Sequence, residues 1–447
     1  MASRGNWNSK VGFILAASGS AVGLGNIWRF PYTTGKNGGA LFVLIYLISV
    51  VVIALPVLLA EVSLGRFSGK NPVGAFKEIK PKGGWKYLGY LGVITGVMIL
   101  SYYAVIAGWT IGYFFKAVTG KFNNLDSATS GQIFGTFVSD WQLQIILLAV
   151  FVFLTVYVVS KGVSGGIEKF SKILMPMLFG ILVLLLIRSV TLPNAAAGLE
   201  FYLKPNFDAL TPKVILEAMG QAFFSLSLGM GTMITYGSYV SKGEDLPSAT
   251  GWIAFFDTFI AIMAGFIIFP AIFSVGMDPA GGPGLVFNIL PVIFSKIPGG
   301  IIFGSLFFAL LSIAALTSTI SLLEVPVAFF IDEKKWNRKR AAYVVGFVTL
   351  LFGVPSALSQ GGVEWFSKLP LVNMGFLDLW DLIWGNLSLS IGAFFVAIFV
   401  GWIWKTSNAL MEITKGTEQF KFAFFWMIAV KFISPVLIMV ILLGKIL

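Results

Sequence analysis

Two membrane-length apolar segments of the chain are interrupted by glycines that lie among polar residues. The first interruption is residues 20–26 (SAVGLGN), and the second is residues 225–231 (SLSLGMG). A Gly-x-Gly break in a helix at bilayer depth frees carbonyl and amide groups that hydrocarbon cannot satisfy, so a polar ligand must occupy the gap. Ions and a zwitterion would meet that need.

Polar side chains accompany both breaks. Asn26 and Arg29 follow the first, while Gln221, Ser225 and Ser227 surround the second. Ionisable residues inside a membrane cost about 2.5–3.5 kcal/mol each on insertion scales, so they are functional candidates by default. The apolar segments of this chain contain Arg29, Glu61, Asp257, Glu324 and Asp381.

Two groups of oxygen atoms could bind sodium, which prefers hard oxygen ligands. The first break offers backbone carbonyls and the Asn26 amide, and a later apolar segment offers the adjacent hydroxyls of Thr317 and Ser318. These hydroxyls and a carbonyl three residues earlier lie on neighbouring faces of one helical turn. The alternative is that both hydroxyls bond to their own helix or join two helices.

Asp257 has apolar neighbours for most of two turns on either side. A carboxylate in that setting is either protonated or paired with a cation. The alternative to an ion site is a salt bridge, although Arg29 is one of few basic residues at comparable depth.

The dipoles of a broken helix favour anionic groups at amino ends and cations at carboxyl ends. An amino acid zwitterion is the simplest solute that satisfies both. Tyr102 or Tyr103 could supply a phenol to its carboxylate, unless they are interfacial anchors. The side-chain end of the pocket would be lined by apolar residues, which argues against a charged side chain on the substrate. These residues are Ile99, Phe224, Met230 and Leu322.

Composition places the chain in a membrane. Of its 447 residues 57% are hydrophobic and 11% are charged, far below the roughly one-quarter of charged residues in soluble domains. Cysteine and histidine are absent, which excludes disulfides, thiolate or imidazole metal sites, and Cys or His nucleophiles. The net charge of +11 would suit nucleic acid, but in a membrane protein it first indicates topology.

Apolar runs long enough to cross a bilayer predict an all-α polytopic protein with eleven spans. The predicted spans are 11–35, 40–67, 88–118, 142–160, 168–192, 214–240, 247–275, 297–331, 340–358, 374–404 and 420–444. With the amino terminus in the cytoplasm, 20 of the 31 basic residues fall on the cytoplasmic side, which favours that orientation and an external carboxyl terminus.

The breaks fall in the first and sixth spans, which predicts two inverted five-span repeats within one transport domain, residues 1–447. The repeats would be residues 8–192 and 214–404, with an additional helix at 420–444. In span 5, Gly166 and Pro176 are separated by nine residues and could allow local unwinding; the alternative is a kinked helix.

Residues 19–31 (GSAVGLGNIWRFP) and 221–229 (QAFFSLSLG) resemble the first- and sixth-helix signatures of the neurotransmitter:sodium symporters. The resemblance extends over essentially the whole chain. Its length and spans are similar to those of bacterial amino-acid transporters of this family with the LeuT-type fold, which implies the bacterial inner membrane. The resemblance also includes residues 37–40 (NGGA), Glu61, Gly65-Arg66, Tyr102-Tyr103 and Thr317-Ser318.

The resemblance implies a set of ligands. The first sodium site would use the Ala21 carbonyl, Asn26, Ser225, Asp257 and the substrate carboxylate. The second would use the carbonyls of Gly19, Val22 and Ala314 with the hydroxyls of Thr317 and Ser318. The substrate would contact Ser20, Ala21, Leu24, Gly25, Ile99, Tyr103, Phe224, Ser225, Ser227, Met230 and Leu322.

The resemblance also implies two gates. Phe224 would cover the pocket on the outside, where Arg29 and Asp381 would pair, supported by Gln221; Asp378, one turn away, is the alternative to Asp381. The inner gate would pair Arg4 with Asp332, assisted by Trp7 and Tyr239. The Gly166–Pro176 spacing is similar to a motif linked in the family with a water path to the second sodium.

Many animal relatives have asparagine where Asp257 lies and bind chloride nearby, at a position that corresponds here to Ala261. A fixed carboxylate would replace the anion, so we expect transport of neutral, hydrophobic amino acids that requires sodium but not chloride. Protonation of Asp257 on the empty return step, which would amount to proton antiport, is left open. A monomer or weak dimer is expected, with the bilayer and the amino acid as partners and no nucleic acid.

Two other functions compete with transport. A channel or a binding-only receptor could use the same fold, but paired gates on both sides favour alternation over an open pore. A membrane enzyme could use buried carboxylates such as Asp257 and Glu324 for acid–base chemistry. Because no nucleophile motif, phosphate loop or metal constellation accompanies them, the sequence indicates no enzyme. Glu324 could instead be a protonated hydrogen-bond donor between helices.

Overall fold

The computed structural model describes residues 5–279, 282–417 and 419–446, and these residues form helices and connecting loops without a strand. Nine of the described helices are long and apolar enough to cross a membrane unbroken. They are span 2 (Ala40–Ser68), span 3 (Lys86–Val118), span 4 (Trp141–Ser160), span 5 (Val163–Val190), span 7 (Leu246–Ser274), span 8 (Gly300–Lys334), span 9 (Arg338–Leu358), span 10 (Phe376–Ile403) and span 11 (Ala423–Gly444).

Spans 1 and 6 are broken, as the sequence predicts. Span 1 consists of Lys10–Ala21 and Gly25–Lys36, whose axes differ by 51°. Span 6 consists of Pro212–Ser225 and Thr232–Gly237, each too short to cross a bilayer alone. The all-α polytopic class with unwound helices 1 and 6 is therefore confirmed, whereas the repeat boundaries stay a prediction.

The glycines of the two breaks serve different purposes. In the second break Gly229 and Gly231 have φ of +84° and +76°, the left-handed region that glycine enters without a steric penalty. Ser227 also has a positive φ, 54°, and is held there by its own hydroxyl, which donates to the Ser20 carbonyl. In the first break Gly23 instead permits close approach, because a Cβ there would lie 2.5 Å from Ser318 Oγ.

Spans 3 and 8 are the longest helices and pack along one another. Glycine again allows the contact, since a Cβ on Gly96 would lie 3.2 Å from the Leu322 carbonyl oxygen. Spans 1 and 6 are surrounded by their neighbours, so almost every residue near the breaks is buried. Large apolar side chains such as Phe153, Leu184 and Phe347 are exposed on the outer spans, where lipid would cover them.

Polar side chains fix where several helices begin. Ser9, Thr211, Asp245 and Asn337 each accept a hydrogen bond from a backbone amide in the first turn of the helix that follows. Span 5 begins at Val163, earlier than the predicted 168, because its first turns follow Gly162, which has φ of +101°. Shorter helices lie between the spans, at Pro72–Ile79, Ser127–Ser139, Ala195–Leu203, Ile289–Lys296, Glu364–Ser367 and Thr406–Ile413.

Candidate functional site

A buried carboxylate lies beside both breaks. Asp257, from span 7, is 0% exposed. The Ser225 hydroxyl lies 2.9 and 2.8 Å from its two carboxylate oxygens, and Asn26 Nδ2 donates to Oδ1 at 2.7 Å and to Ser225 Oγ at 3.0 Å. The sequence-predicted residues Asn26, Ser225 and Asp257 thus come together from spans 1, 6 and 7.

No basic side chain is paired with Asp257 in the described part of the chain. Arg29 is the basic residue that the sequence offers as its salt-bridge partner. Its guanidinium carbon lies instead 4.4 Å from the centre of the Phe224 ring. A buried carboxylate whose neighbours are an amide and a hydroxyl has oxygen atoms left for a cation. The geometry therefore favours the ion-site interpretation of Asp257 over the salt bridge.

A second group of oxygens lies where span 8 meets the first break. Thr317 Oγ1 and Ser318 Oγ lie 3.4 and 3.3 Å from the Val22 carbonyl oxygen, and Ser318 Oγ is also 3.3 Å from the Ala314 carbonyl oxygen. Two ligands held about 2.4 Å from one hard cation, at right angles, would be about 3.4 Å apart. These separations fit a small cation as well as they fit weak hydrogen bonds. Gly19 lies against Thr317, since its Cβ would be 3.2 Å from Thr317 Cβ.

The first break also offers donors and a phenol. The Tyr103 hydroxyl accepts a hydrogen bond from Leu24 N at 3.0 Å, so Tyr103 rather than Tyr102 reaches the freed backbone. The Ser20 carbonyl receives the hydroxyls of Ser227 at 3.1 Å and Ser318 at 3.3 Å. This carbonyl therefore connects the two breaks with span 8.

These groups enclose a cavity of about 40 Å³ between the breaks. Ten of the eleven residues predicted to contact the substrate line it, and Leu24 lines a neighbouring cavity instead. Sequence reasoning missed Gly23, Ser321 and Leu389 as lining residues. Ser321 had a signal, because it is a hydroxyl one turn after Ser318, and Ser20 Oγ donates to it at 2.7 Å. Leu389 had none.

The neighbouring cavity measures about 200 Å³ and is called the outer cavity here because the residues predicted for the outer gate line it; Gly25, Tyr103 and Phe224 line both cavities. Arg29, Asp378 and Asp381 line it together, but no ion pair joins Arg29 to Asp381, although both are described. Asp381 accepts hydrogen bonds from Tyr102 at 2.8 Å and Asn386 at 3.0 Å. Gln221 donates to the Gly25 carbonyl at 2.9 Å, within the first break.

On the opposite side, the start of span 1 is packed against the end of span 6. Trp7 N donates to the Tyr239 carbonyl at 3.3 Å, and Trp7 Nε1 donates to the Tyr236 carbonyl at 3.0 Å. Asp332 Oδ2 accepts from the backbone and side-chain nitrogens of Asn71 at 2.8 and 2.9 Å. Arg4, the predicted partner of Asp332, lies outside the described residues.

Glu324 is an acceptor, so the interpretation of it as a protonated donor is wrong. Arg338 makes two contacts of 2.7 Å with its carboxylate oxygens, and the Tyr239 hydroxyl donates to it at 2.6 Å. The positive charge of Arg338, the first residue of span 9, compensates the buried carboxylate of Glu324. The sequence does not indicate this pairing, because the two residues are 14 positions apart on different helices. Glu324 therefore lies beside Tyr239, whose ring contacts Trp7 at the start of span 1.

Glu61 from span 2 is attached to the second break. It is 0% exposed, and its Oε1 accepts the Gly229 amide at 2.7 Å, while Oε2 has no hydrogen-bond partner among the described residues. A freed backbone donor in the unwound segment is thereby satisfied inside the protein. The sequence marked Glu61 as an intramembrane charge without giving it a partner.

Two helices broken at mid-span, a small cavity between them and two oxygen clusters beside it define a membrane transporter with a buried solute site. Comparison with known proteins agrees. The sequence profile of the "Sodium:neurotransmitter symporter family" matches residues 4–133 and 129–447, and the chain belongs to that family.

Relatives match over nearly the whole chain. An uncharacterized sodium-dependent transporter, YhdH, of Bacillus subtilis is 38% identical over 98% of this chain and 97% of its own. The human sodium- and chloride-dependent GABA transporter 2 is 29% identical over 81% of this chain and 68% of its own. The crystal structure of MhsT in complex with L-phenylalanine has 45% identity and a TM-score of 0.90, covering 99% of this chain and all of that one. The predicted family and sodium-dependent transport are confirmed, and the chain is not an enzyme.

Proposed function

We propose that the chain is a sodium-coupled symporter of neutral, hydrophobic amino acids that works by alternating access and does not need chloride. The single observation that carries the proposal is the position of Asp257: a buried carboxylate without a basic partner in the described residues, bonded to Asn26 and Ser225 at the junction of the two breaks. Such a group needs a cation, and the freed backbone around it suits a zwitterion.

The cavity supports the substrate class. Its polar end is formed by the first break with Tyr103, where a carboxylate would meet the Leu24 amide and the phenol. Ile99, Met230, Leu322 and Leu389 line the rest and offer no charge to a substrate side chain. The crystal structure of MhsT in complex with L-phenylalanine shows that a protein of similar fold binds such an amino acid. Because about 40 Å³ holds only a few waters, Phe224 and its neighbours must move to admit an amino acid.

Two sodium sites are proposed where the two oxygen clusters lie. The first would use Asp257, Ser225, Asn26 and the Ala21 carbonyl, and the second Thr317, Ser318 and the carbonyls of Gly19, Val22 and Ala314. Bound sodium would supply positive charge beside the substrate carboxylate. For the first site Asn26 must turn its amide, because Nδ2 now faces Asp257 and Oδ1 accepts from Gly23 N.

Chloride independence is proposed from the charge at residue 257. The carboxylate of Asp257 supplies the negative charge that an anion would otherwise bring near the first sodium. Ala261, one turn along span 7, is buried and has no hydroxyl to bind a halide. Proton antiport would follow if Asp257 binds a proton once sodium has left, and it is a secondary part of the proposal.

The gates support alternation rather than a permanent pore. Trp7, Tyr239 and Glu324 close one side, while the outer cavity reaches Phe224 on the other. We propose that Arg29 and Asp381, which face this cavity, pair when the outer side closes, and that Arg4 and Asp332 pair at the inner side. The distribution of basic residues supports a cytoplasmic amino terminus in a bacterial inner membrane, and a monomer or weak dimer suffices because the site lies within one chain.

A thermal-shift screen of the twenty amino acids, with sodium or choline as the cation, tests this proposal. We expect leucine, phenylalanine and similar amino acids to stabilise the protein in sodium but not in choline, because the substrate carboxylate and the sodium ion complete one site. Binding by charged amino acids only, or equal shifts in choline, would contradict it. Proteoliposome uptake with gluconate in place of chloride tests chloride independence separately, and a large loss of sodium-driven uptake would contradict that part.

A further inference from the structure

A long groove lies on the outer surface of the helices, away from the solute site. It runs between span 2, the start of span 7 and the start of span 11, and it measures about 510 Å³. Val51 and Leu59 line its wall on span 2, Pro247 and Thr250 line its wall on span 7, and Phe425 lines its wall on span 11. We call it the span 2–7–11 groove. It shares no lining residue with the solute cavity.

The groove extends along span 2 for most of the depth of one lipid leaflet. Val51 and Leu59 are eight residues apart, about 12 Å of helix, whereas half of a hydrocarbon core is roughly 15 Å thick. The end nearer Leu59 lies at the first residues of span 7, because Arg66, at the end of span 2, donates to the Glu244 carbonyl at 2.6 Å. Val51 is 55% exposed, so the groove opens toward the lipid.

The walls of the groove are apolar and partly aromatic. Phe422 is 71% exposed, while Trp426 is buried and donates its Nε1 hydrogen to the Pro56 carbonyl at 3.1 Å, which joins the walls on spans 11 and 2. Lipid tails are as apolar as these side chains, so association inside a membrane depends on van der Waals packing. A concave groove gives an acyl chain more such contacts than the convex surface of a single helix.

The end of the groove at the membrane surface carries basic groups. Lys421 lines it and is exposed, and Lys10 Nζ donates at 3.3 Å to the hydroxyl of Ser248, which also lines it. Neither lysine forms an ion pair with another of the described residues. Asp245, the carboxylate at this end, caps span 7 by accepting the Ser248 amide at 2.9 Å. Two lysines against one carboxylate leave positive charge, which favours an anionic headgroup.

We propose that the span 2–7–11 groove binds an anionic glycerophospholipid such as phosphatidylglycerol. One acyl chain lies along the groove between Val51 and Leu59, and the phosphate lies at Lys421 and Lys10. With the proposed orientation of the chain, this lipid belongs to the cytoplasmic leaflet. Because the groove and the solute cavity are separate, the inference does not depend on which solute is carried.

Native mass spectrometry of the purified protein tests the headgroup. The protein is freed of lipid in a non-ionic detergent and then given equal amounts of phosphatidylglycerol and phosphatidylcholine with the same acyl chains. We expect the parent to retain phosphatidylglycerol at least about tenfold more often. Lys421→Gln should lower this preference about fivefold, the effect of one basic residue near an anionic surface. Lys339→Gln, which removes an exposed lysine at the start of span 9, is the matched control and should leave the preference unchanged.

Val51→Trp tests the position of the acyl chain. An indole at this exposed position would fill the groove, so retention of both lipids should fall at least about tenfold as the packing contacts are lost. Val183→Trp, at a position on span 5 that is 47% exposed, is the control and should change neither. If Val51→Trp does not fold, Phe422→Ala carries this test, because it removes an exposed ring from the wall and should lower retention of both lipids.

Several results would overturn the inference. Equal retention of the two lipids by the parent, or an equal loss of preference in Lys421→Gln and Lys339→Gln, would contradict the anionic headgroup. Retention by Val51→Trp or its substitute Phe422→Ala at the parent's level would contradict the place of the acyl chain. A melting temperature that inorganic phosphate raises as much as phosphatidylglycerol does would also overturn it, because the groove would then contribute nothing.

Discussion

The two backbone breaks differ in what holds them open. The first is short and is stabilised by side chains whose oxygens are also proposed ligands, among them Asn26, Tyr103 and Ser318. The second is longer and depends on left-handed backbone at Ser227, Gly229 and Gly231. The first break therefore carries most of the proposed ligand groups, while the second adds Ser225 and depends mainly on its backbone shape, so substitutions in the two should fail in different ways.

The largest effect is expected for Gly229→Ala in the second break. Its Cβ would lie 2.1 Å from the Leu389 carbonyl oxygen, and a non-glycine residue at φ +84° is strained as well. Because backbone of span 10 is the obstacle, the helices must separate. We expect loss of the monodisperse protein in gel filtration and loss of uptake. Gly251→Ala, which meets no atom within 4 Å, is the matched control; a folded, active Gly229→Ala would refute the role of shape.

Gly23→Ala should separate the two breaks most clearly. Its Cβ would lie 2.5 Å from Ser318 Oγ and 2.8 Å from the Tyr103 hydroxyl, both of them side-chain atoms that can move. The chain should fold and elute normally, yet lose sodium-dependent amino acid binding at least about thirtyfold, since both groups belong to the proposed ligands. Unfolding comparable to that of Gly229→Ala would show that the first break, too, is mainly structural.

A smaller effect is expected for Tyr103→Phe, which removes one hydroxyl from the first break. The Leu24 amide would lose its buried acceptor, and an unsatisfied buried donor costs about 1–3 kcal/mol. Amino acid affinity in saturating sodium, measured by scintillation proximity, should fall about tenfold because the phenol is also a proposed carboxylate ligand, and the melting temperature should fall by a few degrees. The Tyr102 hydroxyl donates to Asp381 instead of contacting the first break. Tyr102→Phe is therefore the neighbouring control and should leave affinity within about threefold.

The smallest effect is expected for Glu61→Gln at the second break. Glutamine keeps an acceptor for the Gly229 amide but gives a neutral bond in place of one to a carboxylate, a difference of about 1 kcal/mol. The melting temperature should fall by a few degrees while substrate affinity in sodium changes less than about threefold. A much larger loss of affinity than of stability would mean that Glu61 acts on the solute, and that the second break contributes chemistry beyond Ser225.

Much of this division could be predicted from sequence, because breaks, buried charges and hydroxyl pairs are properties of single helices. Asn26, Thr317 and Ser318 are conspicuous as polar residues in apolar spans, and the structure brings each to the expected region. The partners of Glu61 and Glu324 could not be predicted, since Gly229 and Arg338 meet them only through packing between helices. Leu389 could not be distinguished from any other apolar residue of a membrane-spanning segment.

The different roles of the two breaks could not be predicted from the sequence either. Gly-x-Gly indicates freed backbone in both segments, but it does not say whether a glycine is needed for a positive φ or for close approach. Gly23 and Gly229 give the two answers, and only the surrounding helices, span 8 in one case and span 10 in the other, decide between them.

Equilibrium binding of radiolabelled L-phenylalanine to the purified protein, in sodium chloride, sodium gluconate and choline chloride, tests the central claim most directly. The parent protein should bind L-phenylalanine in both sodium salts and not in choline chloride. Asp257→Asn should weaken binding in sodium gluconate at least about tenfold. Binding by this variant should recover in sodium chloride if an anion replaces the carboxylate. Binding that is equal in choline and sodium, or unchanged by Asp257→Asn in every salt, would contradict a sodium-coupled site at the junction of the breaks.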